Sequence, residues 1–272
     1  MAANKSLNRE LEGELNKVIQ FWEECRPFNA GVEFSMKLIK MSIASLNTKQ
    51  PAEKQKAKIY DKIDYIIRDR IISAGETIKE KALSLFTPSS SEESEDIILT
   101  YGGVHLLQMI FTEAHDKKMK FRVIVADAGP DFEGRELVKR LSSYGIKVTY
   151  TLLQGVSFLI SKVTKVFIGA SSVLSNGAVI AKIGNSMLTT VARKHQKPVV
   201  VFSETYKFSD RVNLDPININ EIGDPQQLLH YPSFRAQKNV SFSPFLSSIH
   251  RRTHCKIGSR PRISLWLISS TT

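Results

Sequence analysis

The chain has 272 residues, 42% hydrophobic and 24% charged, the composition of a globular protein long enough to bury a sizeable core. Its apolar runs are strand-sized, far short of the ~20 residues that cross a bilayer, and its opening Met-Ala-Ala-Asn-Lys does not read as a secretory signal. The net charge of +11 is concentrated at the end: Arg235, Lys238, Arg251, Arg252, Lys256, Arg260 and Arg262 follow Gln226 with no acidic residue, leaving +4 for residues 1–226, and no repeated basic-aromatic unit points to a nucleic-acid partner.

Residues 1–86 read as a helical domain. Val32, Met36, Ile39, Ile43 and Leu46 form one amphipathic stripe, and Ile59, Ile63, Ile66, Arg70, Ala74, Ile78 and Ala82 form a second, with Pro51 between them. Residues 87–95, inside the stretch TPSSSEESED, have the composition of a linker. From residue 96 the rhythm changes. DIILTYG (96–102), FRVIVAD (121–127), KVTYTLL (147–153), KVFIGAS (165–171) and PVVVFSE (198–204) predict strands, and 104–119, 131–144, 156–162 and 178–195 predict helices. Continuous apolar strands alternating with helices predict an α/β fold over 96–226, a Rossmann-like doubly wound parallel sheet covered on both faces. Residues 227–272 read as an atypical basic Ser/Arg-rich tail, a candidate for disorder, with one plausible strand around Trp266.

Ligands of such sheets sit at the carboxyl ends of the strands. After the first strand, Gly102 and Gly103 stand side by side without the third glycine of a dinucleotide fingerprint, although Asp127 ends the next strand where a ribose-binding acid would lie. Small residues there also let a helix pack close to a strand. After the second strand, Gly129-Pro130 reads as a turn, Asp131 as a helix cap, and Arg135 as a local ion-pair partner or a pocket residue. After the fourth, Asn176-Gly177 suits a turn needing positive φ, with Lys182 one turn into the helix expected after it. Ser171, Ser172 and Ser175 have no neighbouring base and read as caps and turn satisfiers. After the fifth, Glu204, Tyr206, Lys207, Phe208 and Arg211 alternate aromatic and charged character, as at a subunit interface. Cys25 and Cys255 lie far apart, and His105 and His115 are ten apart on one predicted helix. Neither pair has metal-ligand spacing, so no metal, disulfide or other cofactor is expected, and a reducing compartment such as the cytoplasm fits.

At NGAVIAKIGN, ETYKF with SDRV, EGR at 133–135 and DKIDYIIRDRIISAGETI at 61–78, the sequence resembles the regulatory alpha/beta/delta subunits of eukaryotic translation initiation factor 2B. The resemblance runs over roughly residues 30–226, and ETYKF with NEIGDP points to the delta branch. It implies a non-catalytic subunit of a guanine-nucleotide exchange factor complex. The implied partners are the other subunits, above all beta, with initiation factor 2 as substrate, and neither nucleic acid nor membrane. The family shares its fold with sugar-phosphate isomerases. Those carry a Cys where this chain has about Gly102, the Asp of Gly-Ala-Asp where it has Ser171, Asn-Gly-Asp where it has Asn176-Gly177-Ala178, and Arg-Pro where it has Gly129-Pro130. The resemblance therefore implies a vestigial ligand pocket at Gly102, Gly103, Arg135, Ser171, Asn176, Gly177 and Lys182. The alternatives are an isomerase-like enzyme or a metabolite-binding module. It also implies that the cationic face of 54–81 meets phosphorylated substrate. The long charged amino-terminal extension typical of the delta branch is absent from the chain, and after Gln226 the resemblance stops. An expectation of weaker stability and assembly follows.

Overall fold

The computed structural model describes residues 3–46, 50–87, 95–212 and 263–267. The described chain divides into two compact units, Met1–Thr77 with Glu204–Ser209, and Ile78–Ser203 with Asp210–Leu267. Most of the expected linker and most of the basic tail lie outside the described residues.

The first unit is built from α1 (Ala3–Cys25), α2 (Ala30–Ala44), α3 (Ala52–Tyr65) and the start of α4 (Ser73–Ala82), with a π-helical stretch at Ile66–Ile72. Asn29 starts α2 by accepting the Val32 amide at 2.9 Å, and Glu33 complements the helix dipole in the first turn. The π-helical stretch has a cause in the sequence. From Ile66 the stripe advances by fours through Arg70, Ala74, Ile78 and Ala82, which outruns a 3.6-residue period. One widened turn absorbs the drift and leaves Ile66, Ala74, Ile78 and Ala82 all buried. The segment Glu204–Ser209, with β8 at Phe208–Ser209, belongs to this helical unit although it follows the last helix-flanked strand of the sheet.

The second unit is the doubly wound sheet. Its strands are β1 (Asp96–Tyr101), β2 (Phe121–Asp127), β3 (Val148–Leu152), β4 (Lys165–Gly169) and β7 (Val199–Ser203), all parallel in the order β3-β2-β1-β4-β7. A further strand, β9 (Ile263–Leu267), pairs in parallel beside β7 and contains Trp266. The helices are α5 (His105–Asp116), α6 (Gly134–Ser143), the short α7 (Val156–Leu159) and α8 (Asn185–Lys194). β1 and β4 are buried almost throughout, as expected of central parallel strands. The core centres on Phe167 of β4, which stacks on Phe111 of α5 and meets Phe86 and Phe202 edge-on.

Two local expectations are corrected. The helix expected over 178–195 begins only at Asn185. Val179–Ile180 forms strand β6, antiparallel to β5 (Ser172–Leu174), with Ser172 opposite Ile180 and Val173 opposite Val179. The β-branched pair prefers the extended state, and Gly184 at φ +99° precedes the helix in a conformation that no helix continues through. Asn176-Gly177 is therefore a hairpin tip, and the helix N-terminus expected right after it is not there. Likewise Asp131 does not cap α6, whose N-cap is Glu133. Phe132 at φ 44° turns the chain between them.

Candidate functional site

The carboxyl ends of β1 and β2 converge on one cluster. Gly102, just past β1, adopts φ +65° and donates its amide to the Ala126 carbonyl at 2.9 Å. The stem of Lys182 lies over it: a Cβ on Gly102 would have Lys182 Cδ at 3.9 Å. Gly103 is small because the loop before α6 presses on it; a Cβ there would come 2.8 Å from the Glu133 carbonyl oxygen. Close packing explains Gly103 without a ligand. Lys182 Nζ itself is bound by Glu133 Oε2 at 2.7 Å, both side chains being partly exposed.

Asp127 closes β2 and is buried. Its Oδ1 accepts the Ala128 amide at 3.0 Å and its Oδ2 accepts the Tyr150 hydroxyl at 3.3 Å. The Gly134 amide, first in α6, also donates to it. Burial pushes the Asp127 carboxyl above its ordinary range, while these donors and the Lys182 charge hold the rise in check. Gly134 must be glycine here, since a Cβ would sit 2.8 Å from the Asp127 carboxyl. Tyr101, at the end of β1, is pushed up to about 12 by burial, with Asp127 and Glu133 adding repulsion to its anion, so it stays neutral at physiological pH. Arg135 stacks its guanidinium 4.1 Å from the Phe132 ring and hydrogen-bonds Tyr150. It serves its own loop and the neighbouring strand.

The remaining pocket candidates serve the hairpin. The Ser171 amide donates to the Ile180 carbonyl at 2.8 Å, and Ala178 donates to Asn176 Oδ1 at 3.0 Å, an Asx turn. The hydroxyl of Ser175 donates to the carbonyls of Asp210 and Arg211 at 3.4 and 3.3 Å. Gly177 has φ +76° with open space around it, whereas a Cβ on Gly184 would run into the Tyr101 ring. Gly177→Ala should thus cost about 1 kcal/mol, the left-handed backbone alone, and Gly184→Ala about 3 kcal/mol once overpacking is added. Chemical denaturation of the two variants measures the difference, and equal losses would contradict it.

The interface candidates fold onto their own unit. Glu204 pairs with Lys207 at 2.6 Å and accepts the Tyr206 hydroxyl at 3.3 Å. The Lys207 ammonium lies 5.8 Å from the Tyr206 ring centre. Burial, then Glu204, push the Tyr206 hydroxyl up to about 12. Its ring packs on α2 where Gly31 leaves room, 3.1 Å from where a Cβ would stand. Phe208 is half-buried and Arg211 exposed. Tyr101, Tyr150 and the Glu133–Lys182 pairing have no signature in the sequence, because residue type and spacing carry no signal for partners joined by the fold. Among the described residues no cluster of three His, Cys, Asp or Glu could hold a metal, and no helix is long and apolar enough to cross a membrane.

Sheet order, hairpin and strand-end cluster define a class: a doubly wound α/β protein with a helical unit ahead of it, in which Lys182 and Asp127 at the strand ends are both engaged by partners in the chain. The profile of the Initiation factor 2 subunit family matches residues 2–246, farther at both ends than the motifs alone reach. The chain belongs to this family. It is 39% identical over 228 residues to translation initiation factor eIF2B subunit delta of Dictyostelium discoideum, covering 84% of this chain and 36% of that one. With the delta subunit of Schizosaccharomyces pombe it shares 32% over 225 residues, covering 83% and 47%. The chain thus spans less than half the length of these curated relatives. In structure it is similar to the tetrameric eIF2B-beta2-delta2 complex from C. thermophilum, with TM-score 0.71, 29% identity, and 78% and 66% of the two chains covered. It is also similar to eIF2B delta from Chaetomium thermophilum, with TM-score 0.67, 28% identity, and 72% and 70% covered.

Proposed function

We propose that this chain is a regulatory, non-catalytic subunit of the guanine-nucleotide exchange factor complex for translation initiation factor 2, acting in the cytoplasm. Its role is in assembly and in sensing phosphorylated substrate. The observation that carries this reading is the similarity to delta subunits along more than four-fifths of the chain. The likeness to a beta-delta tetramer makes a beta-type subunit the expected neighbour. Candidates for that contact are Arg211, in the Rossmann-like unit, and the segment of Glu204, Tyr206, Lys207 and Phe208, which belongs to the helical unit. In the helical unit, Lys62 and Arg70 flank the Tyr65 ring at 4.5 and 6.0 Å, a cationic face of the kind that receives a phosphorylated segment.

The non-catalytic part of the reading is supported by the strand ends. Shuttling a proton between carbons needs an acid and a base free to face substrate. Gly102 and Ser171 stand where the isomerase relatives are expected to carry Cys and Asp, and Asp127 is held by three donors. Affinity purification of the tagged chain co-expressed with the other subunits tests the proposal. The beta-type subunit is expected to co-elute, at a lower yield than with a longer delta-type subunit. Elution of the chain alone, where the longer subunit recovers beta, would overturn it. Turnover of a ribose phosphate by the purified chain would restore the enzyme alternative.

A further inference from the structure

Two features at these strand ends that attract anions are already held by carboxylates of the same chain. The first is the N-terminus of α6, whose leading amide, that of Gly134, donates to Asp127. The second is Lys182, whose ammonium is 2.7 Å from Glu133 Oε2. Glu133 is well placed for this. It is the N-cap of α6, yet its side chain makes no capping hydrogen bond. Its backbone is brought in by the missing side chain of Gly103, and the Lys182 stem that meets it crosses Gly102. The ion pair therefore lies beside Gly102 at the carboxyl end of β1, the end at which a doubly wound sheet receives a ligand.

The geometry points to Glu133 as an intramolecular ligand: its carboxylate takes the place on Lys182 that the oxygen of a phosphate-bearing ligand would occupy, and so closes the cleft to anions. This rests on the non-catalytic reading above and deepens it, because it gives a charge-based reason for the cleft to stay empty of sugar phosphates. The pair is partly exposed, so it is weak enough for removal of one partner to be tolerated. Removing the carboxylate frees the lysine and also deletes a negative charge that repels an incoming anion.

The test uses the full chain and inorganic phosphate as the probe, at constant ionic strength set with chloride, read by calorimetry and by the thermal midpoint. Wild type should respond to phosphate no more than to chloride. Glu133→Gln should bind phosphate about two- to fivefold more tightly than wild type, and Glu133→Gln with Lys182→Met should lose that gain. Glu133→Ala serves if the glutamine variant fails to fold, since no capping bond is lost with the side chain. Equal binding by wild type and Glu133→Gln, or a gain that survives Lys182→Met, overturns the inference. Co-elution of the beta-type subunit with each variant keeps the outcomes separate: a variant that assembles but gains no anion binding sinks this inference alone.

Discussion

Phe167→Ala is expected to destabilise the sheet unit by about 3–5 kcal/mol, the largest effect of any single substitution considered. Phe167 has no exposed surface, and its ring lies 6.3 Å from Phe111, 5.8 Å from Phe86 and 5.1 Å from Phe202. These rings come from β4, α5, β7 and the segment leading into β1, so the cavity would open where four elements meet. The rigid sheet backbone limits how far it can collapse, which puts the cost toward the upper end. Urea titration followed by near-ultraviolet dichroism measures it. A loss below about 1.5 kcal/mol, the size of a volume-conserving core swap, would show that the aromatic cluster is not the keystone of this unit.

Lys165→Met is expected to cost about 3 kcal/mol near neutral pH, more than Asp96→Asn. At the amino end of the sheet Asp96 is buried and binds Lys165 Nζ through both oxygens, at 2.9 and 3.0 Å. It also accepts the Thr87 amide at 2.6 Å and the Thr164 hydroxyl at 3.2 Å. Removing the lysine leaves a buried carboxylate without its countercharge, while removing the carboxylate leaves a lysine that still reaches solvent. Burial alone would push the Asp96 carboxyl up; the hydrogen bond from Lys165, then those from Thr87, outweigh it, and the group ends below its ordinary 3.8. A depressed carboxyl stabilises the folded state above the unfolded value and loses that contribution as pH falls through the folded one. Wild type should therefore weaken at pH below 3.8. In Lys165→Met, burial dominates and the carboxyl moves up, so the deficit against wild type should shrink as the solution is acidified. A deficit that stays constant from neutral pH down to about pH 3 would show that Asp96 and Lys165 do not act as a charge pair.

Much of this architecture could be read from neighbours in the chain. DIILTYG, FRVIVAD and PVVVFSE are strands in the structure to within one residue of their expected ends, because runs of β-branched and apolar residues suit a sheet covered on both faces. At 178–184 the helical pattern of the segment that follows is stronger in sequence than the β-branched pair Val179-Ile180, yet that pair forms strand β6 and the helix waits until Asn185. The π-helical turn at Ile66–Ile72 was implicit in the four-residue spacing, but spacing alone does not say whether a helix widens, bends or buries an arginine to accommodate it.

The strand-helix alternation, the parallel sheet and the membership in the initiation factor 2 family were written in local pattern and motif, since both depend on residues close in sequence. The assignment of charges to partners was not. Asp96 meets Lys165 across 69 positions, Tyr150 reaches Asp127 across 23, and Glu133 meets Lys182 only because a hairpin returns the chain over Gly102. Whether a lysine at a strand end faces an open cleft or its own chain's carboxylate depends on distances of a few ångströms, to which Coulomb energies in a cleft are steeply sensitive, and those distances exist only once the sheet has been assembled.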